Sequence, residues 1–254
     1  MSLSVSDAFR EGVERFATPV GGVILVGLLA SQVASTIVID SRLPVMAPAI
    51  NEMTGQQILD ATPGPLAVDV PEIALTFLSL LAAILTAGVV ALGFRAFTGE
   101  RPGRLAADAW NGLAWATLNV FVAQIVVGIL FLLGLTLIVP ALIVALAFAF
   151  VPALIAVDGQ NVFRAMLESW RTSRGERLRV LAVLLGIGVV GLSVNLVGTS
   201  VALVLLGEGI VVDLVSLAVG SAVVVYAMAT IASTFDQLRT VDERFADIDD
   251  DLLP

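Results

Sequence analysis

The sequence contains no histidine and no cysteine. Those two absences exclude disulfides, thiol nucleophiles, Ser-His-Asp triads and metal centres held by His or Cys. Lysine is missing as well, so all 13 basic residues are arginine. Charge of any kind is scarce, at 14% of 254 residues, where a soluble domain carries about a quarter. With 58% hydrophobic residues and a mean hydropathy of +1.02, the chain cannot clothe its surface in polar groups. It reads as an integral membrane protein.

What charge is present leans acidic: 22 Asp and Glu leave a net charge of −9. That balance argues against nucleic acid as a partner, because phosphate binding needs a basic surface. A GC-rich genome explains Arg in place of Lys but not the acid excess. A salt-rich cytoplasm explains both, since acidic, Lys-poor surfaces stay soluble there, and the composition is read as halophilic.

The uncharged runs are long and continuous. They lie between Arg15 and Asp40, Glu72 and Arg95, Asp108 and Asp158, Arg179 and Glu208, and Asp213 and Asp236. About 20 helical residues cross the hydrocarbon layer. The third run, at 49 residues, is too long for one span and divides around Gly134–Pro140. Six helices are expected, roughly 18–39, 72–94, 112–134, 137–157, 179–200 and 212–235, with an acidic tail over 236–254. Barrel strands would alternate over about ten residues, and these runs do not. The fold class is therefore all-α, a polytopic membrane helix bundle. The first 16 residues carry five charges, unlike a secretory leader.

Arginine placement sets orientation. Arg10, Arg15, Arg95, Arg101, Arg104, Arg164, Arg171, Arg174, Arg177, Arg179, Arg239 and Arg244 fall on one side of the six spans, and only Arg42 on the other. Both termini are expected in the cytoplasm, with the protein in the cell membrane. The outer side is then a long acidic, proline-bearing loop over 40–71, holding Asp40, Glu52, Asp60, Asp69, Pro44 and Pro48, and two short turns.

Short amphipathic stretches precede the spans. In the first, Val5, Phe9, Val13 and Phe16 share a face while Asp7, Arg10, Glu11, Glu14 and Arg15 lie elsewhere, with Ser6 as a candidate cap. Before the fifth span, Asn161 caps a helix in which Phe163, Met166, Leu167 and Trp170 follow i, i+3, i+4, i+7 spacing. Leu105, Ala109 and Trp110 make a weaker version before the third span. Phe9-Arg10 and Glu14 recur as Phe163-Arg164 and Glu168, and Asp7-Ala8-Phe9 as Asp108-Ala109-Trp110. The repetition is read either as three units of interfacial helix plus hairpin or as the common demand of any helix at a membrane surface. Arg164, Trp170, Arg171, Arg174, Arg177 and Arg179 are the candidates for contact with lipid headgroups or a partner.

Inside the spans the polar candidates are amides. Asn119, Gln124 and Asn195 would form a polar seam if a neutral solute crosses, and otherwise serve as interhelical hydrogen bonds. Pro152 is expected to kink the fourth span, and Gly186, Gly188, Gly191 and Gly198 to let the fifth approach a neighbour. No glycine-rich phosphate loop is present. Asp158, Glu168 and Glu176 lie near the inner boundary without a nucleophile or metal set beside them.

The run Val151-Pro152-Ala153-Leu154-Ile155-Ala156-Val157-Asp158-Gly159, with Phe163-Arg164-Ala165, Glu168-Ser169-Trp170-Arg171 and Arg174-Gly175, resembles a recurrent signature. Asp7-Ala8-Phe9 through Phe16, and Gln237-Leu238-Arg239 after the last span, fit the same pattern. It belongs to a superfamily of six-span bacterial and archaeal membrane proteins. That group includes the membrane domain attached to some glycerophosphodiester phosphodiesterases and many uncharacterised stand-alone proteins of haloarchaea. The resemblance implies six helices with interfacial helices and no chemistry of their own. The diesterase activity belongs to a separate soluble barrel that uses His, and it does not carry over to this chain. The expectation is a non-catalytic accessory or organising protein with no cofactor, touching membrane lipid and another membrane or cytoplasmic protein. The alternative is a permease for a neutral or lipid-like substrate.

Overall fold

The computed structural model describes residues 3–57, 60–99, 102–105, 107–135 and 139–251, and side chains for all of these except 107, 108 and 241–251. Among them all regular structure is helical: α1 (Val5–Phe16), α2 (Pro19–Thr54), α3 (Glu72–Phe97), a 3-10 turn (Ala107–Trp110), α4 (Leu113–Leu135), α5 (Val139–Phe148), α6 (Val151–Asp158), α7 (Val162–Thr172), α8 (Arg177–Leu206) and α9 (Ile210–Asp251). Six helical segments are long and apolar enough to cross a membrane, counting Val139–Asp158 as one. This agrees with the six spans read from the five uncharged runs and with a multi-pass membrane protein.

Several helices outrun the expected spans. The first does not end near residue 39, because α2 continues through Pro44 and Pro48 to Thr54. Pro44 has no N–H for the Asp40 carbonyl four residues back, but the Gly64 N–H takes that carbonyl at 3.4 Å. The Leu66 N–H binds the Asp40 carboxylate at 3.0 Å, and the Val68 N–H binds Ser41 Oγ at 2.9 Å. The returning loop thus supplies the donor that Pro44 removes. Arg42 anchors the same corner, 2.6 Å from Glu72 and 2.9 Å from Thr76 Oγ1. At the other extreme α9 is unbroken from Ile210 to Asp251, so the backbone expected as a tail from 236 continues the last span. The side chains of Asp247–Asp251 and Arg244, and residues 101, 137–138 and 252–254, lie outside the described residues. α8 likewise reaches Leu206 rather than 200.

The fourth span is two helices rather than a kinked one. α5 stops at Phe148, and α6 begins at Val151 with Pro152 in its first turn, where a missing N–H costs nothing. The break falls ahead of the proline, at Ala149–Phe150.

Helix α3 is central, packing against α2, α4, α6 and α9, while α8 pairs with α9. The densest core sits at the end of the bundle that holds every described arginine except Arg42. There Phe97, Phe150, Ile155 and Phe235 are fully buried, and the Phe150 and Phe235 rings lie 5.9 Å apart. Toward the other end the helices show Leu132, Leu192, Val204 and Leu205 to their surroundings. That distribution suits a bundle whose solvent is lipid.

Candidate functional site

The arginine-rich end is built around two short helices, α1 and α7, laid against the bundle. α1 is capped by Ser4, not Ser6, with the Ser4 side chain accepting the Asp7 N–H. It buries Ala8, Gly12 and Arg15. Gly12 is needed for close approach, because a methyl group there would overlap Thr230 Oγ1 on α9. The Ser4 N–H reaches Gln237 Oε1 at 3.1 Å, and the Ser233 hydroxyl donates to Glu11 at 2.7 Å.

Arg15 does not face away from the bundle as its place on the helical wheel implied. It is 8% exposed and bonds Asp236 at 2.7 Å, Glu11 at 3.1 Å and the Phe97 carbonyl. Asp236 in turn accepts the Gly99 N–H. One guanidinium thus joins α1, the last turn of α3, and α9. Arg95 acts in the same manner, donating to the carbonyls of Ala156, Ala109 and Asn111. Arg239 ties α9 to α6 through Asp158 at 3.0 Å. These arginines read as topology markers in the sequence; in the fold they are also fasteners.

α7 is capped by Asn161, as expected, through the Arg164 N–H. Its packed face is made of smaller residues than its apolar stripe. Val162, Ala165 and Ser169 are buried, whereas Phe163 is 82% and Leu167 52% exposed. Small residues turn inward so that the helix can lie close, and the larger apolar ones turn outward. Ser169 spans the α5–α6 break: its hydroxyl donates to the Ala147 carbonyl at 2.7 Å and accepts the Phe150 N–H at 3.3 Å. A broken helix must find partners for its freed backbone groups, and one hydroxyl serves both sides. Ser173, one turn on, is also buried and donates to the Ser169 carbonyl.

The contact candidates on this segment divide into two groups. Arg179 is held by Glu176 at 2.5 Å, and Arg177 lies 4.8 Å over the half-buried Trp170 ring. Arg164, Arg171 and Arg174 are exposed, and their side chains make no hydrogen bond or ion pair among the described residues. The Leu105–Trp110 stretch expected as a third amphipathic helix is instead a four-residue 3-10 turn at Ala107–Trp110.

The three amides do not form a seam. Asn119 is buried and ties α4 to the start of α7, accepting the Val162 N–H at 3.3 Å while donating to Trp115. Gln124, exposed, lines an apolar groove of about 400 Å3 between α4 and the α5–α6 break, beside Phe131, Phe148, Ala149 and Pro152. Neither Asn119 nor Asn195 lines that groove, and Asn195 stands exposed on α8. Their spacing along the sequence puts them at different depths and on different faces.

No group of three or more acidic side chains able to hold a metal occurs among the described residues. Asp158 and Glu176 are engaged by Arg239 and Arg179. Ser169, Arg15 and Arg95 were named in the sequence only as part of a signature or as topology markers, not as site candidates. The available signal was a polar side chain in register with small residues: Ser169 lies four after Ala165, and Arg15 lies three after Gly12.

No curated protein and no solved structure matches the chain. Residues 3–239, nearly the whole chain, match the family model described as Domain of unknown function (DUF7847), and the chain belongs to that family.

Proposed function

We propose that this protein is a non-catalytic accessory or organising component of the cytoplasmic membrane, with both termini inside. The observation that carries the reading is the outward face of α7 and its continuation into α8. Exposed Phe163 and Leu167 stand beside arginines that no internal partner engages, as in helices that lie in the headgroup boundary. The one-sided arginines support the orientation. The signature around Val151–Gly175 supports kinship with the six-span superfamily, and the acid excess supports a high-salt habitat.

A permease for a neutral or lipid-like substrate is less well supported. It requires amides converging along a path, whereas Asn119 fastens α4 to α7 and Gln124 and Asn195 lie apart.

Photo-cross-linking from positions 161–179 in native membranes tests the accessory reading. It predicts a reproducible protein partner, or a lipid enriched above the bulk. Recovery of bulk lipid alone, with no associated protein, overturns it.

A further inference from the structure

The arginines differ in whether their charge is spent. Arg10, Arg15, Arg42, Arg179 and Arg239 pair with carboxylates, Arg95 donates to three backbone carbonyls, and Arg177 stacks on Trp170. Arg164, Arg171 and Arg174 are not used at all. Elsewhere among the described residues only Arg104 is equally unengaged, and it stands singly. In a chain of net charge −9, the spare positive charge of the described side chains is therefore concentrated on one surface.

The geometry of that surface is regular. Arg164, Leu167, Arg171 and Arg174 follow i, i+3, i+7, i+10 spacing, which holds them in one stripe along α7 and the turn after it. Glu168, the one acid of α7, is half-buried and forms no ion pair with either flanking arginine. Phe163 and Leu167 are exposed along the same helix, and Trp170, beneath Arg177, closes its end. Apolar side chains that reach into acyl chains, flanked by guanidinium groups free to make bidentate contacts, complement a phosphate layer above hydrocarbon.

We propose that the stripe carrying Arg164, Arg171 and Arg174 is a docking surface for anionic phospholipid headgroups. The inference rests on the reading of α7 as an interfacial helix and names its ligand. Charge complementarity selects the headgroup: a zwitterionic lipid offers the same phosphate but brings its own cation. Each arginine near an anionic membrane surface contributes roughly fivefold in affinity.

The test uses the full-length protein in mild detergent, titrated with phosphatidylglycerol or phosphatidylcholine, with retained lipid counted by native mass spectrometry. The wild type is expected to prefer phosphatidylglycerol by roughly tenfold or more. The preference should fall as salt rises. The variant carrying Arg164→Gln, Arg171→Gln and Arg174→Gln should lose it, and Arg104→Gln should keep it. Equal retention of the two lipids by the wild type overturns the proposal. So does a preference that survives the triple substitution, or one that Arg104→Gln reduces as much, which would mark a diffuse charge effect. Should the triple variant not fold, Arg171→Gln with the wild-type salt titration carries the same contrast. A protein partner cross-linked from 161–179 without lipid preference would sink this proposal and leave the accessory role standing, whereas bulk lipid alone with no preference would sink both.

Discussion

Helices α1 and α7 are built to similar specifications and used in different ways. Both are N-capped by a small polar side chain, and both press small residues against the bundle: Ala8 and Gly12 in one, Ala165 and Ser169 in the other. Each sends one buried polar group to a backbone carbonyl of a neighbouring helix, Arg15 to Phe97 and Ser169 to Ala147. They diverge in charge. The arginines of α1 are neutralised by Asp7, Glu11 and Asp236, whereas Arg164 and Arg171 of α7 are left free. One helix is fastened by its charge, and the other is fastened by a hydroxyl and presents its charge outward. Docking and display are separable jobs, so substitutions should separate them.

The largest effect is expected from Arg15→Met. It strands Glu11 and Asp236 without their cation, and removing one partner of a buried pair costs about 3–5 kcal/mol. The lower end applies here, because those carboxylates keep 32% and 22% exposure. Thermal unfolding in detergent should show a clear drop in midpoint, and an unchanged midpoint would mean that α1 is not held by charge. Ser169→Ala comes next. It leaves the Ala147 carbonyl and the Phe150 N–H without their shared partner, at about 1–3 kcal/mol, and hydrogen exchange should quicken at 147–151 before it does elsewhere. Uniform loosening of the whole bundle would count against a local bridge. The smallest effect belongs to Arg171→Gln, whose exposed, unbonded side chain should change stability by no more than about 0.5 kcal/mol. A large loss of stability there would show that α7 is fastened by its charge after all, and would erase the contrast with α1.

The sequence made some of this visible and concealed the rest for identifiable reasons. The six spans were legible because a helix crossing hydrocarbon needs continuous apolar residues; charges bound the five runs, and Gly134–Pro140 divides the longest. The Asn161 cap was legible because capping is local. The extension of α2 past Pro44 was not, since the donor to the Asp40 carbonyl comes from Gly64, 24 residues further along the chain. The apolar stripe of α7 was legible from its i, i+3, i+4, i+7 spacing, but which residues pack against the bundle was not, because that depends on the neighbouring helices. In the fold Val162, Ala165 and Ser169 pack on the bundle while Phe163 and Leu167 stand exposed.

By itself, then, the sequence determined that this is a six-helix membrane chain with arginine gathered at one end, and that His and Cys chemistry is excluded. Hydropathy and charge are properties of the residues and need no neighbours. Only the tertiary structure decided which charges are spent and which remain. Arg15 and Arg171 are the same residue type at similar places on similar helices. What separates them is the carboxylate and carbonyl that a distant helix brings to one and not to the other.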